Sequence, residues 1–379
     1  MRFFAQLAPR NSYFCPMKDS PLFLSFFIAI ALLGWDQPRA WAQTTRKYSN
    51  EFLNLGVDAA ALGMGEAVTA STDDVYAGYW NPAGLLYMEN SQACLMHASY
   101  FANIAQFDYA AYAAPIDDNN AWGASLTRFG VDDIMNTTQL IDSQGNIDYN
   151  RISQFSTADY ALHVSLAHKT TYKGLRYGVN TKIIRRVIGN FASSWGFGFD
   201  LGFQWEKDAW KFGLMIRDIT TTYNMWTINE AAYNDVRNAV ANQNQALPER
   251  TEITLPKVQL GVSRYHEFNR EYSLKVALNA NMELYRTNAI IQSEHLSVTP
   301  ALGAEFAYTE LVFVRAGVGK FQQVLQPDGS NSLGIQPNVG LGLYYRGFKL
   351  DYALTNLGDA TNALYSNIFS LRVDLERNP

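Results

Sequence analysis

The sequence predicts an all-β fold: a fourteen-stranded antiparallel transmembrane β-barrel with an N-terminal plug segment in its lumen. Three observations predict it. After residue 90, short runs that alternate apolar and polar residues repeat to the C-terminus, many bounded by Gly, Asn or Asp. The gaps between these runs are long on connections of one parity and short on the other. No stretch beyond the first 42 residues approaches the roughly 18 uninterrupted apolar residues that a membrane-spanning helix needs.

The first element, residues 1–42, has the pattern of a signal peptide. Arg2, Arg10 and Lys18 precede an apolar core from Pro21 to Gly34, and the small-x-small signature Ala40-Trp41-Ala42 follows at cleavage distance. Met17 is an alternative start, since the chain from there forms a conventional signal on its own. The core is too short to span a bilayer, and no Cys stands at its end to carry a lipid anchor. Cleavage would leave about 337 residues, exported and without a helical anchor.

Charge and cysteine content narrow the function. Without Arg2, Arg10, Lys18, Arg39, Asp19 and Asp36, 26 basic residues face 33 acidic ones. That acidic balance lacks the electrostatic footprint of nucleic-acid binding. Cys15 leaves with the signal and Cys94 stands alone, so no disulfide is expected within the chain. Aromatic content of 14% with only 17% charged residues suits the apolar band and aromatic girdles of a barrel in lipid.

The second element, residues 43–90, breaks the strand pattern. Ala59, Ala60, Ala61, Gly63 and Gly65 are small, and Gly63-Met64-Gly65 permits close backbone approach. Asn81-Pro82-Ala83-Gly84-Leu85 predicts a turn, because Asn closes an Asx-turn and Pro fixes φ. A stretch this small and moderately apolar, placed ahead of a barrel, is best housed in the lumen.

The third element, residues 91–379, supplies the barrel. Strands are expected over 91–101, 105–115, 120–129, 157–168, 175–187, 194–205, 210–217, 256–265, 271–281, 298–308, 311–320, 336–345, 348–356 and 366–376. Most match the 9–11 residues that cross a bilayer at a tilt. In 194–205, Phe197, Phe199, Leu201, Phe203 and Trp205 share one face, opposite Gly196, Gly198, Asp200, Gly202 and Gln204. The 271–281 and 366–376 runs alternate in the same way. A soluble sandwich would alternate too, but connection lengths separate the two folds. The gaps 130–156, 218–255, 282–297 and 321–335 are long and fall on odd-numbered connections, whereas 169–174, 206–209, 309–310 and 346–347 are short. Bacterial barrels have short periplasmic turns and long external loops. The first connection, 102–104, is then one unusually short external loop, and both mature termini are expected in the periplasm. Helical spacing of Ala232, Val236 and Ala239 predicts a short amphipathic helix from Asn229 to about Gln243 in the longest loop.

The small-residue stretch, Gly63-Met64-Gly65, Asp73-Asp74 and Tyr79-Trp80-Asn81-Pro82-Ala83-Gly84-Leu85 together resemble the N-terminus of FadL-type outer-membrane proteins. They are most similar to the PorV/PorQ branch. The motif resemblance covers residues 55–86, with a weaker Leu357-Gly358-Asp359 before the last strand, while the architecture covers the whole mature chain. It implies a fourteen-stranded barrel with an N-terminal plug, and two functions. FadL relatives carry hydrophobic molecules across the outer membrane with the plug as gate. PorV and PorQ relatives serve the type IX secretion system and handle exported proteins that bear a C-terminal sorting domain. One departure is that the chain runs past Leu375 to Glu-Arg-Asn-Pro instead of ending on an aromatic residue.

If the apolar dyads face lipid, the opposite faces gather Arg176, Lys182, Asp200, Lys211, Arg217, Lys275, Glu305, Arg315, Lys349, Asp351, Arg372 and Asp374 in the lumen. Buried charges of both signs require pairing, which predicts a salt-bridged interior bracing the plug. A hydrophobic tunnel would call for more apolar inward positions. This favours protein handling over lipid transport, with outer-membrane lipid, secretion-system proteins and exported cargo as the partners.

No catalytic chemistry is expected. His163-Val164-Ser165 with Asn180 has the residue types of an outer-membrane phospholipase triad. Its lipid face, however, is claimed by Tyr160, Leu162, Val164 and Leu166, which send His163 inward. Gly317-Val318-Gly319-Lys320 lacks the remaining parts of a phosphate loop. The scattered His and single mature Cys give no zinc spacing, Asp132-Asp133 is more simply a solvated acidic pair than a Ca²⁺ site, and no cofactor is called for.

Overall fold

A computed structural model describes residues 49–101, 103–141, 144–239, 249–326, 328–355 and 366–375, all within the unit Thr45–Pro379. The signal segment, Leu357-Gly358-Asp359 and the last four residues lie outside the described residues.

Seventeen β-segments follow a short N-terminal region: β1 (Ser91–Tyr100), β2 (Ala105–Asp117), β3 (Asn120–Asn136), β4 (Ser153–Lys169), β5 (Leu175–Ile188), β6 (Ala192–Lys207), β7 (Trp210–Arg217), β8 (Thr222–Ile228), β9 (Thr251–Thr254), β10 (Lys257–Glu267), β11 (Tyr272–Glu283), β12 (Ile291–Gln292), β13 (Ser297–Tyr308), β14 (Val312–Leu325), β15 (Asn331–Tyr345), β16 (Phe348–Thr355) and β17 (Ser366–Leu375). Fourteen of them form a closed antiparallel ring in chain order, β1 to β7, then β10, β11, β13 and β14 to β17. The seam closes where β17 pairs β1, from Ser91↔Leu375 to Ser99↔Asn367. Closure leaves no open edge in the fourteen-stranded ring, the condition for crossing hydrocarbon with β-structure. Among the described residues no helix is long and apolar enough to cross a membrane.

Each expected strand corresponds to one member of the ring, and the period of two sets which face is which. On β6, Trp195 and Phe197 are exposed while Ser194, Asp200 and Gln204 are buried. On β11, Val276 and Leu278 point out and Ala277 and Asn279 point in.

The outer ends differ from expectation. β3 runs to Asn136 and β4 begins at Ser153, so much of the gap 130–156 is strand. The gap 321–335 is also mostly strand, with β14 reaching Leu325 and β15 starting at Asn331. Connection 102–104 is therefore not alone in being short on its side: 189–191 and 326–330 are short too. Alternation fades there because strand residues beyond the lipid have no apolar side to keep. In the 218–255 gap, β8 continues the line of β7 along β6, from Phe197↔Tyr223 to Ala192↔Ile228. Asp218 (φ 55°) and Thr221 (φ 60°) break the line between them. On the return, β9 pairs β8 and passes Pro256, which cannot donate to a ladder, before β10 resumes. The loop helix spans Glu230–Ala239, with the Asn229 side chain accepting from the Ala232 amide (3.4 Å).

The N-terminal region has two helical pieces, Ala59–Gly63 and Ala77–Trp80, flanked by 3₁₀ turns at Glu51–Asn54 and Pro82–Tyr87. The Asp58 carboxylate caps the first by accepting from the Ala60 (3.1 Å) and Ala61 (3.2 Å) amides. Asn81 Oδ1 accepts from the Ala83 amide (3.3 Å), and Pro82 follows at the first helical position, so the Asn-Pro pair forms its expected turn.

Candidate functional site

The N-terminal region lies against the inward faces of strands all around the ring, so the site is the filled lumen. Ala59 donates to Ser370 Oγ on β17 (3.1 Å). Gly63 meets Gly340 on β15, and Met64 covers Gly303 on β13 and Gly317 on β14. Thr69 and Ala70 pass over Gly213 on β7 and Gly261 on β10. Pro82 presses on Gly178 of β5, Asn81 on Gly202 of β6, and Leu85 approaches Gly123 on β3. A Cβ on most of these strand glycines would overlap the segment's main chain. The wall is thus cut to the shape of the chain inside it, and close approach is the reason for glycine there.

The motif residues take part in this seating. Gly65 holds φ +65°, and a side chain on it would meet Val318 N at 2.8 Å. Asn81 Nδ2 donates to Thr69 O and Phe203 O, both at 3.0 Å, and joins the segment to itself and to β6. Gly84 packs on Thr72 O and on Ala77, and Ala83 and Leu85 are wholly buried.

Paired charges surround these contacts. Lys182 Nζ bridges Asp200 (2.7 Å) and Asp218 (2.6 Å), all three deeply buried. Lys275 pairs Glu305 at 2.7 Å; Arg315 joins Glu305 (2.5 Å) to Asp351 (2.7 Å). Arg372 reaches Asp74 of the segment (2.9 Å) and Asp374 (3.3 Å). Lys320 pairs Glu66, Lys211 pairs Asp73, and Arg176 pairs Glu206 while lying over the Tyr87 ring. Arg217 donates to Tyr79 O at 3.1 Å. Strand alternation exposed most wall members of this network, but not Glu206 or Lys320. It missed Asp58, Glu66, Asp73, Asp74 and Asp218, which lie outside regular strands and have no period to betray them.

Buried carboxylates do not all have a cation at hand. Asp58 is desolvated and faces Asp351 and Asp74, which together push its carboxyl up to about 7 against the opposing pull of Lys349 and Arg315. It also accepts from Ser370 Oγ at 3.0 Å.

Asp58, Asp73, Asp74, Lys275, Glu305 and Lys349 line a cavity of about 40 Å³, room for a few waters. Phe52 and Leu53 belong to the buried cluster that includes Tyr100 and Phe107, with Phe129 packed against it. His163, Ser165 and Asn180 do not form a triad: Ser165 and Asn180 each donate to Gly78 O, at 3.4 and 2.8 Å, while the His163 ring stands 6.3 Å from that of Tyr79. Asp132 pairs with Arg128 at 3.1 Å.

Against this geometry the comparisons fall into place. A family model described as type IX secretion system protein PorV matches residues 40–222, the N-terminal segment and the first strands. Over that stretch the chain is similar to PorV, and its closed ring is that of an outer-membrane barrel. The same fold occurs in solved outer-membrane channels of low sequence identity. The CymD monoaromatic hydrocarbon channel aligns at a TM-score of 0.54 with 13% identity, over 85% of this chain and 98% of that one. The toluene transporter TodX of Pseudomonas putida aligns at 0.50 with 13% identity, over 86% and 98%. TbuX of Ralstonia pickettii, also a toluene transporter, aligns at 0.50 with 12% identity, over 85% and 99%. No match to a curated protein was found. The seated segment and the braced lumen are the features that any function of this barrel must accommodate.

Proposed function

We propose that this barrel acts in or beside type IX protein secretion, handling or tethering exported proteins that carry C-terminal sorting domains. Residues 43–90 serve as a permanent plug, and the outer loops, above all the β8–β9 hairpin with its Glu230–Ala239 helix, meet partners and cargo. The observation that carries this reading is the filled lumen: a ligand site takes roughly 300–1,000 Å³, whereas the cavity beside the segment offers about 40 Å³ between charged side chains.

The proposed orientation places the short turns and the C-terminal end of β17 in the periplasm. For the N-terminus, contacts of the first described residues support a reading other than the periplasmic one expected from the sequence. Ser49 accepts from Asn224 (2.6 Å), and Asn50 donates to Thr254 (2.8 Å), both on the outward hairpin β8–β9. A mature chain starting at residue 43 begins within about 20 Å of Ser49, which favours an N-terminus on the outer side of the seated segment.

Deleting the gene and following export of proteins with C-terminal sorting domains tests the reading. Their retention in the periplasm is expected; unchanged export refutes it. The second reading, a channel for hydrophobic compounds, rests on the fold shared with the hydrocarbon channels. It predicts gene-dependent uptake of a monoaromatic solute.

A further inference from the structure

The outer face of the wall carries a constellation that the lumen lacks. Inside the barrel the His-x-Ser pair of β4 makes no contact of its own, because Ser165 turns to Gly78 O. The same spacing recurs on β1 as His97-Ala98-Ser99. The alternation that sends His163 inward sends His97 and Ser99 outward, with Met96 and Ala98 buried. The neighbouring strand supplies a third group: pairing sets Asp108 of β2 opposite His97, and Gln106 opposite Ser99.

His97 joins these groups in a line. Its Nδ1 lies 2.7 Å from Asp108 Oδ1, and its Nε2 lies 3.4 Å from Ser99 Oγ. With the ring proton on Nδ1 toward the carboxylate, Nε2 is left as the acceptor facing the hydroxyl. That is the order of nucleophile, base and orienting carboxylate in an acyl-transfer triad. Hydroxyl–imidazole contacts of this kind are often long before substrate arrives. Arg128 approaches the far oxygen of Asp108 at 3.5 Å and fixes the carboxylate from behind. Above β1 the chain turns back through left-handed Phe101 (φ 55°) and Asn103 (φ 71°), and Asn103 Oδ1 accepts from Ser99 Oγ at 3.1 Å.

The line is set into an apolar surface. Leu95 is exposed before it on β1, and Phe101 and Ile104 are exposed after it. From His97 and Asp108 a groove of about 530 Å³ extends over Leu95, Ala110, Leu126 and Leu371. That volume falls in the roughly 300–1,000 Å³ range of a ligand site. Ionisable side chains facing a membrane are rare and mark function.

We propose that Ser99, His97 and Asp108 form an esterase site on the outer wall that hydrolyses acyl esters of membrane glycerolipids, one acyl chain lying in the groove. The site is separate from the secretion reading and does not rest on it. Ser99 Oγ attacks the ester carbonyl carbon while its proton passes to His97 Nε2. The side-chain amides of Asn103 and Gln106 flank Ser99 as donors for the oxyanion. The tetrahedral intermediate breaks its bond to the glycerol oxygen, which takes the proton from His97 and leaves as the lysolipid alcohol. Water then attacks the acyl-Ser99 ester and gives a proton to His97. Ser99 Oγ departs, recovers that proton, and the fatty acid is released. Asp108 acts through His97 as a positioning residue.

The test uses the full chain extracted in detergent, with heat-dependent gel mobility to confirm a folded barrel in every variant. A fluorophosphonate probe reports on the nucleophile, and octanoate release from dioctanoyl phosphatidylcholine reports on turnover. Wild type is expected to carry the probe on Ser99 and to release octanoate. Ser99→Ala should lose both, whereas Ser330→Ala, in the β14–β15 turn, keeps both. His97→Gln should slow release by about 10²–10⁴-fold, the usual worth of a general base. Asp108→Ala should lower kcat with little change in KM, and Asp108→Glu should restore part of it. A carboxylate that only stabilised the wall would not give that pattern. Ala110→Trp fills the groove and should raise KM for the lipid while the small probe still reacts. A folded wild type that neither takes the probe nor releases octanoate overturns the proposal. So does release that survives in Ser99→Ala.

Discussion

Gly317 on β14 meets Met64 main chain to main chain, so a Cβ at Gly317 would overlap the Met64 carbonyl carbon. The adjacent outward Ala316 has no such constraint and is exposed. Gly317→Val should unseat the segment locally at a cost of about 1–3 kcal/mol or more, the usual range for overpacking, while Ala316→Val stays near neutral. Limited proteolysis of residues 59–75 in folded, heat-modifiable protein reads the difference. Equal protection in both variants contradicts the close seating.

Lys182 holds two buried carboxylates together in the wall. Its Nζ lies 2.7 Å from Asp200 and 2.6 Å from Asp218, and the Asp218 amide also donates to Asp200 (2.8 Å). Lys182→Met strands both charges and is expected to cost about 3–5 kcal/mol. Adding Asp200→Asn and Asp218→Asn removes the charges and should recover much of that loss. Thermal transitions of the gel-mobility shift measure both steps. A triple variant no better than the single one would show that Lys182 acts through packing instead.

The ring and its inward charges were legible because a period of two sorts side chains by face along a strand. Asp200, Lys275, Glu305, Arg315, Asp351 and Arg372 were found that way, and each is paired. What seats the segment was not legible. Gly178, Gly202, Gly213, Gly261, Gly303, Gly317 and Gly340 form a belt only once the strands pair, because each sits on a different strand and meets its neighbours through the pairing register. β8 and β9 escaped for a local reason: left-handed residues at Asp218 and Thr221 and the missing donor at Pro256 interrupt the alternation.

Asn81 supplies a donor where a carboxylate would be repelled. Its Nδ2 faces Thr69 O and Phe203 O, each at 3.0 Å, and the side chain is fully buried. Asn81→Ala removes the two bonds and leaves the carbonyls bare, at about 1–3 kcal/mol. Asn81→Asp, although nearly the same shape, sets a charge against both carbonyl oxygens and should be worse than Ala. Amide exchange over residues 77–86 ranks them. If Asp is tolerated better than Ala, the bond accepted from the Ala83 amide outweighs the two donated ones and the donor role is wrong.

Asp58 gives the seating of the first helix a pH dependence. Burial, then Asp351 and Asp74, raises its carboxyl to about 7 in the folded chain against 3.8 for the ordinary group. The folded state therefore binds the proton more tightly than the unfolded one. Stability falls as pH rises from about 4 to about 7 and levels off above, a loss on the order of a few kcal/mol. Asp58→Asn keeps an oxygen for the Ala60 and Ala61 amides but carries no charge, so it should erase the dependence and be the more stable protein at pH 8. Exchange protection of Ala60–Gly63, corrected for the intrinsic pH effect, is expected to weaken between pH 5 and pH 8 in wild type only. Equal weakening in Asp58→Asn would assign the effect to another group.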